Sequence, residues 1–454
     1  MITFKNIDKF SIRYFLLYVY VRFVFRHIYL KQFKVVGLEN IPKPNEPLLI
    51  VCNHQSGLND ALAILFMFRD YRQPVFVARG DMFRKTFVSK LLRFVKIMPA
   101  FRSMDGDNPL LNYQLFDEFA DVFDNHHTLM MFPEAGHEST YTLGRFRKGF
   151  ARMAFYAEKR SDYTLGLKIL PVANHYSGYF NFREKLAIVV GKPVEISEYL
   201  PLYKENPKKA ALTLAKDMRE RVNDLMLNIK SREQYPIYNF IRAIYERRYV
   251  QRMGWKESYF PNMLRASKVI IARLESLHLS NLKQQSGLFE TAQSFKDGLE
   301  KLRLRSWLFE CKHNVRALML RTLSMICLLP FFCYGYVLNI APFNLPRLIT
   351  NRIKKDIILR PTVAFGISVF ITFPICYFLL TLACGLASGS ALATLLFFAS
   401  LPLGLIFFDA YRKHYVKLRG RWRFFFLRRQ KNKLFEQTHE QFVQVMAEMD
   451  VIMS

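Results

Sequence analysis

His54 and Asp60 lie in the run Asn53–His54–Gln55–Ser56–Gly57–Leu58–Asn59–Asp60. An imidazole that can take a proton, with a carboxylate to hold its other ring nitrogen, is the orienting half of a catalytic triad without a side-chain nucleophile. Such a pair is common by chance, so its neighbours in the chain decide its worth. Three further groups follow in order. Arg102 comes after Pro99–Ala100–Phe101, Glu134 sits in Phe132–Pro133–Glu134–Ala135–Gly136–His137, and Pro171 sits in Ile169–Leu170–Pro171–Val172. A base pair, a cation, a carboxylate beside glycine and a proline-shaped turn, delivered by successive strand ends, describe one cleft whose charged rim suits an anionic acceptor.

These groups need a scaffold that brings strand ends together. Short β-type runs are expected at Leu48–Cys52, Val75–Ala78, Lys96–Ala100, Thr128–Phe132, Ile169–Val172 and Leu186–Gly191. Between them Ala61–Arg69, Met82–Phe94, Leu110–Phe123 and Gly149–Glu158 space their apolar residues as helices do. That alternation predicts an α/β domain, a mostly parallel sheet flanked by helices with ligands at the carboxyl ends of its strands. N-terminal interfacial helices and a C-terminal helical and transmembrane region are expected around it.

The chain has 454 residues, 66 Lys plus Arg against 37 Asp plus Glu, and 51% hydrophobic content, which excludes a disordered or collagen-like protein. Its 43 Phe and 23 Tyr exceed the needs of a plain soluble core. Basic residues beside long apolar runs favour a membrane surface over nucleic acid, for which no zinc-finger or RNP-type pattern is present in the sequence. Residues 1–34, with Arg13, Arg22, Arg26 and Lys31 among aromatics, read as membrane-interface helices. Residues 35–202 form the expected catalytic domain and 203–316 a helical connecting region with no chemical spacing in it. Residues 317–411 hold the runs Thr322–Phe343, Thr362–Leu386 and Ala391–Phe408, each near the length of a bilayer span. The first, broken by Pro330 and Pro342, reads as re-entrant. The other two form a hairpin around Gly389, and the basic residues outside them place both outer ends, and a basic tail at 412–454, in the cytoplasm. The six cysteines show no CxxC pair and are expected as free thiols in a reducing compartment.

The four blocks Asn53–His54…Asp60, Pro99–Ala100–Phe101–Arg102, Phe132–Pro133–Glu134 and Ile169–Leu170–Pro171–Val172 resemble, in order and content, those of the glycerol-phosphate and lysophosphatidate acyltransferase superfamily. The resemblance covers roughly residues 35–200. Five residues separate His54 from Asp60 where the family most often has four, and Asn59 occupies the usual Asp place. Five-residue spacers occur in the branch of fungal-type glycerol-3-phosphate and dihydroxyacetone-phosphate acyltransferases and their bacterial relatives. Phrases around Asn181–Phe182–Arg183 and Gly191–Lys192–Pro193 also resemble that branch. Gly57 would let the loop absorb the extra residue. Ala135 stands where the third block usually has its first Gly.

The resemblance implies a membrane-bound enzyme that moves a fatty acyl group from acyl-CoA or acyl carrier protein to glycerol-3-phosphate or dihydroxyacetone phosphate in phospholipid synthesis. Lysophosphatidate or another lyso-lipid is the alternative acceptor, and a non-catalytic membrane scaffold is the rival of a different class. His54 with Asp60 would be the base pair, Arg102 a phosphate clamp, and Asn53, Pro133, Glu134, Gly136 and Pro171 would shape or hold the acceptor site. Arg145, Arg147 and Lys148 either add positive potential for phosphate or form a solvated loop. Backbone donors near Gly136 could meet an oxyanion. His126, His127, His137 and His175 lack metal-ligand spacing, so no metal and no cofactor beyond the thioester substrate are expected. The expected partners are membrane lipids, an acyl thioester and a phosphorylated glycerol, and no nucleic acid. The expected location is an integral membrane protein with its catalytic domain on the cytoplasmic face.

Overall fold

The computed structural model describes residues 4–101, 111–134, 136, 138–179, 181–280, 282–311, 314–352 and 360–454, with backbone alone at 111–114, 278–280, 282–285 and 360–362. The chain divides into two units, Met1–Asn228 and Ile229–Ser454.

The strands of the first unit are β1 Leu30–Val36, β2 Leu48–Cys52, β3 Val75–Arg79, β4 Ile97–Ala100, β5 Thr128–Met131, β6 Lys168–Tyr176, β7 Glu184–Val190 and β8 Val194–Glu195. They make one sheet in the order β1-β7-β6-β2-β5-β3-β4, with β8 beside β6. β2 is parallel to β5 and β6, β3 to β4 and β5, and β1 to β7. β7 and β8 run antiparallel to β6, so the sheet is mostly parallel with a mixed side. Every residue of β2 from Leu48 to Cys52 is fully buried, as a central strand covered on both faces requires.

The helices are α1 Ile12–Phe23, α2 Leu58–Met67, α3 Thr86–Phe94, α4 Leu111–Asp124, α5 Gly149–Arg160, α6 Leu200–Glu205 and α7 Pro207–Leu225. On one face of the sheet Leu49, Val51, Leu129 and Ile169 pack with Phe119 and Phe123 of α4, Phe150 and Ala154 of α5, and Leu214 and Met218 of α7. Each such side chain contributes about 1.5–3 kcal/mol on burial. α7 begins with Pro207, and Asn206 caps it by accepting from Lys209 N. It falls in the stretch expected to be a connecting region, yet its apolar face closes the core of the first unit.

Two sequence expectations change here. The N-terminal helical run ends in a π-helical turn at Val24–Tyr29, and residues 30–36 leave it as β1, because the edge of β7 offers a ladder that a helix cannot use. α1 is tied to the unit by Tyr18 OH, which donates to Leu65 O at 3.1 Å, and by Arg22, which donates to Phe68 O at 3.1 Å. Its other side exposes Phe10, Ile12, Leu16 and Phe23. Pro171 is not a turn but the middle of β6, opposite Val51. Its carbonyl accepts from Gly191 N at 2.9 Å. Its nitrogen points to that same side, at the gap between the β8 and β7 pairings, so the missing N–H breaks no ladder bond.

In the second unit α8 Tyr235–Arg252, α9 Phe260–Ser280, α10 Leu282–Leu302 and α11 Trp307–Glu310 precede α12 Val315–Cys327 and α13 Leu329–Asn351. α12 and α13 meet at a 50° bend, where the re-entrant run was expected, and together have the length and composition of one broken span. α14 Arg360–Ile367, a π-helical turn and α15 Phe373–Ser388 make the apolar helix Val363–Ser388, and α16 is Ala391–Arg429. Both contain stretches of mean hydropathy 2.2 and are long enough to cross a membrane. Gly389, at φ 59, turns the chain between them, and Ser390 caps α16. α16 continues beyond Phe408 through the basic residues to Arg429, and α17 Lys433–Ile452 returns with Phe442 5.4 Å from Phe295 of α10. The expected basic tail at 412–454 is therefore mostly helix, since its apolar face has α10 to pack on. All six cysteines are free.

Candidate active site

β2 ends at Cys52, and the next residues fold back to start α2. Gly57 precedes that helix at φ 52 and ψ −123, a conformation open to glycine and strained for other residues. The longer spacer is taken up there, which brings Asp60 rather than Asn59 to His54. The distance from His54 Nδ1 to Asp60 Oδ2 is 2.9 Å. Asp60 is fully buried and the imidazole keeps 17% exposure. The His54 ring lies 4.0 Å from the Phe132 ring at 12°, a stack that fixes its plane.

Asp60 is surrounded by donors. Its Oδ2 also accepts from Gln55 N and Ser56 N, each at 2.7 Å, and its Oδ1 accepts from Tyr176 OH at 2.7 Å and Asn174 Nδ2 at 3.3 Å. Burial first, and the Asp60 charge second, hold the Tyr176 hydroxyl well above its ordinary pKa, so it stays a donor. Asn53 fastens β2 to β6, with Oδ1 accepting from Asn174 N at 2.7 Å and Nδ2 donating to Asn174 O at 3.1 Å. Asn59 instead donates to Tyr29 OH at 3.3 Å and Ser56 Oγ at 3.2 Å.

Glu134 bridges backbones. Its Oε1 accepts from His54 N and its Oε2 from Gly144 N, both at 2.7 Å. Burial outweighs these donors and pushes its carboxyl up to about 7. As pH falls through that value the group gains a proton, and one of its two acceptors becomes a hydroxyl. The loop after Glu134 is sewn to the His54 loop, because Gln55 Nε2 donates to Thr140 O at 2.8 Å and Ser139 Oγ to Gln55 O at 3.1 Å. Tyr141 OH donates to Tyr176 O at 2.8 Å, which joins the same loop to β6.

The structure thus brings together Asn53, His54, Asp60 and Glu134, with Pro133 buried behind and Pro171 in the neighbouring strand. Gly136, Arg145, Arg147 and Lys148 are exposed, the last three at the start of α5, and Arg147 N donates to Pro133 O at 2.8 Å. Arg102, Ala135 and His137 lie outside the described residues. Arg183 has an architectural contact, donating to His27 O at 2.8 Å below β1. Among the described residues no three His, Cys, Asp or Glu side chains converge as a metal site requires. Asn174, Tyr176, Tyr141 and Gly144 carry functions of position that sequence reading did not assign. Asn174 and Tyr176, two apart at the end of an apolar run, carry the one signal available, since alternate residues of a strand share a face.

A deep imidazole–carboxylate pair at the carboxyl edge of a mostly parallel sheet, without a nucleophile beside it, defines a class of transferases that work by general-base attack. Residues 32–175 match the family model described as Acyltransferase, and this stretch is a domain of the glycerol-phosphate and lysophosphatidate acyltransferase superfamily. No curated protein matches the chain. A solved structure, the 1-acyl-sn-glycerophosphate (LPA) acyltransferase PlsC from Thermotoga maritima, is similar at 23% identity and TM-score 0.30, over 48% of this chain and 78% of that one. The chain therefore joins an acyltransferase domain to helices with the length and apolarity to cross a membrane.

A methyl group on Gly144 would lie 2.7 Å from Glu134 Oε2. Gly144→Ala is expected to displace the carboxylate from His54 N, lower acyl transfer about tenfold and cost about 1–3 kcal/mol of stability, read by rate and thermal unfolding on one preparation.

Proposed function

We propose that this protein is a membrane-bound O-acyltransferase of phospholipid synthesis that moves a fatty acyl group from a thioester, acyl-CoA or acyl carrier protein, to glycerol-3-phosphate or dihydroxyacetone phosphate. The observation that carries the reading is the His54–Asp60 pair, with the Nδ1 proton held by a buried carboxylate. That tautomer leaves the basic lone pair on Nε2. Nε2 takes the proton of the acceptor hydroxyl as its oxygen attacks the thioester carbonyl; the C–S bond breaks from the tetrahedral intermediate, and the imidazolium returns the proton to the departing thiolate. No acyl-enzyme is needed. Cys52, next to the base pair, is fully buried, and burial, then Asp60 and Glu134, raise its thiol pKa well above the ordinary value, so it remains a poor nucleophile.

Arg102, with Arg147 and Lys148, is assigned to the acceptor phosphate, and Gly136 to the oxyanion side. The exposed apolar side of α1 suits a bilayer interface. Basic residues before Val363 and after Phe408 support a cytoplasmic position for both ends of the hairpin, and with them the catalytic domain.

The test is transfer of labelled acyl chains by membranes containing the protein, with glycerol-3-phosphate, dihydroxyacetone phosphate and lysophosphatidate offered separately. Transfer to either water-soluble acceptor is expected. Transfer to lysophosphatidate alone would overturn the acceptor assignment, and transfer to no acceptor from either thioester would overturn the reaction.

A further inference from the structure

The match to the acyltransferase family ends at residue 175, yet the first unit continues through α7 to Asn228. Arg219 on α7 reaches back into the site loop, with Nε donating to Gly144 O at 2.9 Å and Nη2 to Leu143 O at 3.0 Å. Asn228 Oδ1 accepts from Leu143 N at 2.9 Å, and Asn228 Nδ2 donates to Asn223 Oδ1 at 2.6 Å. Two adjacent peptides are therefore held at three polar atoms by α7 and the residue that ends the unit. The fourth atom, Gly144 N, is the donor that reaches Glu134, whose other oxygen receives His54 N.

We propose that Arg219, assisted by Asn228, is a positioning residue of the acyl-transfer site: its guanidinium fork sets the Leu143–Gly144 peptides so that Gly144 N–H holds Glu134, and Glu134 holds the backbone of His54.

The argument is one of geometry. A guanidinium presents its N–H groups in a fixed plane, so two bonds to successive carbonyls define the orientation of both peptides, whereas an ammonium at that place fixes neither. Gly144 cannot drift toward Glu134 or turn from it without cost, because the carboxylate already stands where a Cβ would be. With Arg219 removed, the Leu143 and Gly144 carbonyls lose these donors and the peptides can rotate. The loop does not detach, because Thr140, Ser139 and Tyr141 still tie it to Gln55 and Tyr176. What changes is the aim of one N–H, and then the seat of the carboxylate that positions the base. Displacements of under an ångström at a base are worth about ten- to a hundredfold in rate.

The kinetic arm rests on the acyl-transfer reading, and the experiment separates the two. The full chain in detergent is compared as wild type, Arg219→Ala, Arg219→Lys and the exposed α7 control Lys216→Ala. Amide hydrogen exchange is read on peptides covering residues 53–57 and 141–147, with kcat and KM measured on the same samples. Expected are faster exchange of both peptides in Arg219→Ala, a fall in kcat of about ten- to a hundredfold at unchanged thioester KM, partial return on adding guanidinium ion, and an intermediate Arg219→Lys. Unchanged exchange at 53–57, or a kcat equal to that of Lys216→Ala, would overturn the proposal. If wild type transfers no acyl group the reaction is wrong, and the exchange arm still decides whether Arg219 sets the His54 backbone. Should Arg219→Ala not fold, Arg219→Lys is read by the same criteria.

Discussion

Replacing His54 by Ala is expected to lower acyl transfer by about 10²–10⁴-fold, the usual contribution of a positioned general base, with KM for the thioester little changed. The fold should survive. The bond from His54 to Glu134 is made by backbone N–H, which alanine retains. The lost side-chain contacts are one stack on Phe132 and one bond to Asp60, at a ring that is partly exposed. A midpoint of thermal unfolding within a few degrees of wild type, together with the collapse of rate, is the combined result that identifies a base. A variant that keeps its rate would remove His54 from the chemistry and favour a non-catalytic role for the domain.

Asp60→Asn is expected to be as severe for a different reason, and to damage stability too. All five groups bonded to Asp60 stand in donor positions: His54 Nδ1, Gln55 N, Ser56 N, Tyr176 OH and Asn174 Nδ2. A carboxylate has acceptor capacity for all of them, while an amide must turn its NH₂ toward one side of the set. Facing Oδ2, that NH₂ meets two backbone N–H groups and forces the imidazole into the other tautomer, with the proton on Nε2 where the base is needed. Loss of the tautomer alone is worth on the order of 10³–10⁴ in rate by analogy with Ser-His-Asp enzymes. Each buried donor left unpaired adds about 1–3 kcal/mol. Asp60→Asn should therefore lower both the rate and the unfolding midpoint, where His54→Ala lowers the rate alone. Rates and unfolding midpoints measured on both variants make the distinction, and an Asp60→Asn protein with normal rate would show that the pair is architectural.

Local pattern carries much of the fold. Leu48–Cys52 stands out because an uninterrupted apolar run between Pro47 and Asn53 fits a strand covered on both faces. The helices starting near Leu111 and Gly149 show in their apolar spacing, and the hairpin at Gly389 in two charge-free runs with four small residues between them. Where reading and structure differ, a partner distant in sequence made the difference. β6 runs on to Tyr176 because β7 pairs with its polar end, and Leu30–Val36 becomes a strand on the other side of that same β7. A polar pair such as Asn174 and Tyr176 resembles a loop until something needs its hydrogen bonds.

The order of the blocks and the residue types in them, His54, Asp60, Glu134 and Pro171, were determined by the sequence, because acid–base chemistry demands particular functional groups and leaves them as a short written pattern. So were the two charge-free helices, since crossing a bilayer demands length and apolarity, and both are properties of a continuous segment. Only the tertiary structure decided that Asp60 and not Asn59 meets the imidazole, that Glu134 spends both oxygens on backbone N–H groups, and that Arg219, from a stretch without any chemical spacing, grips the loop behind them. Those outcomes depend on distances and directions between segments 10 to 165 residues apart, and a hydrogen bond accepts a partner within a few tenths of an ångström wherever in the chain it comes from.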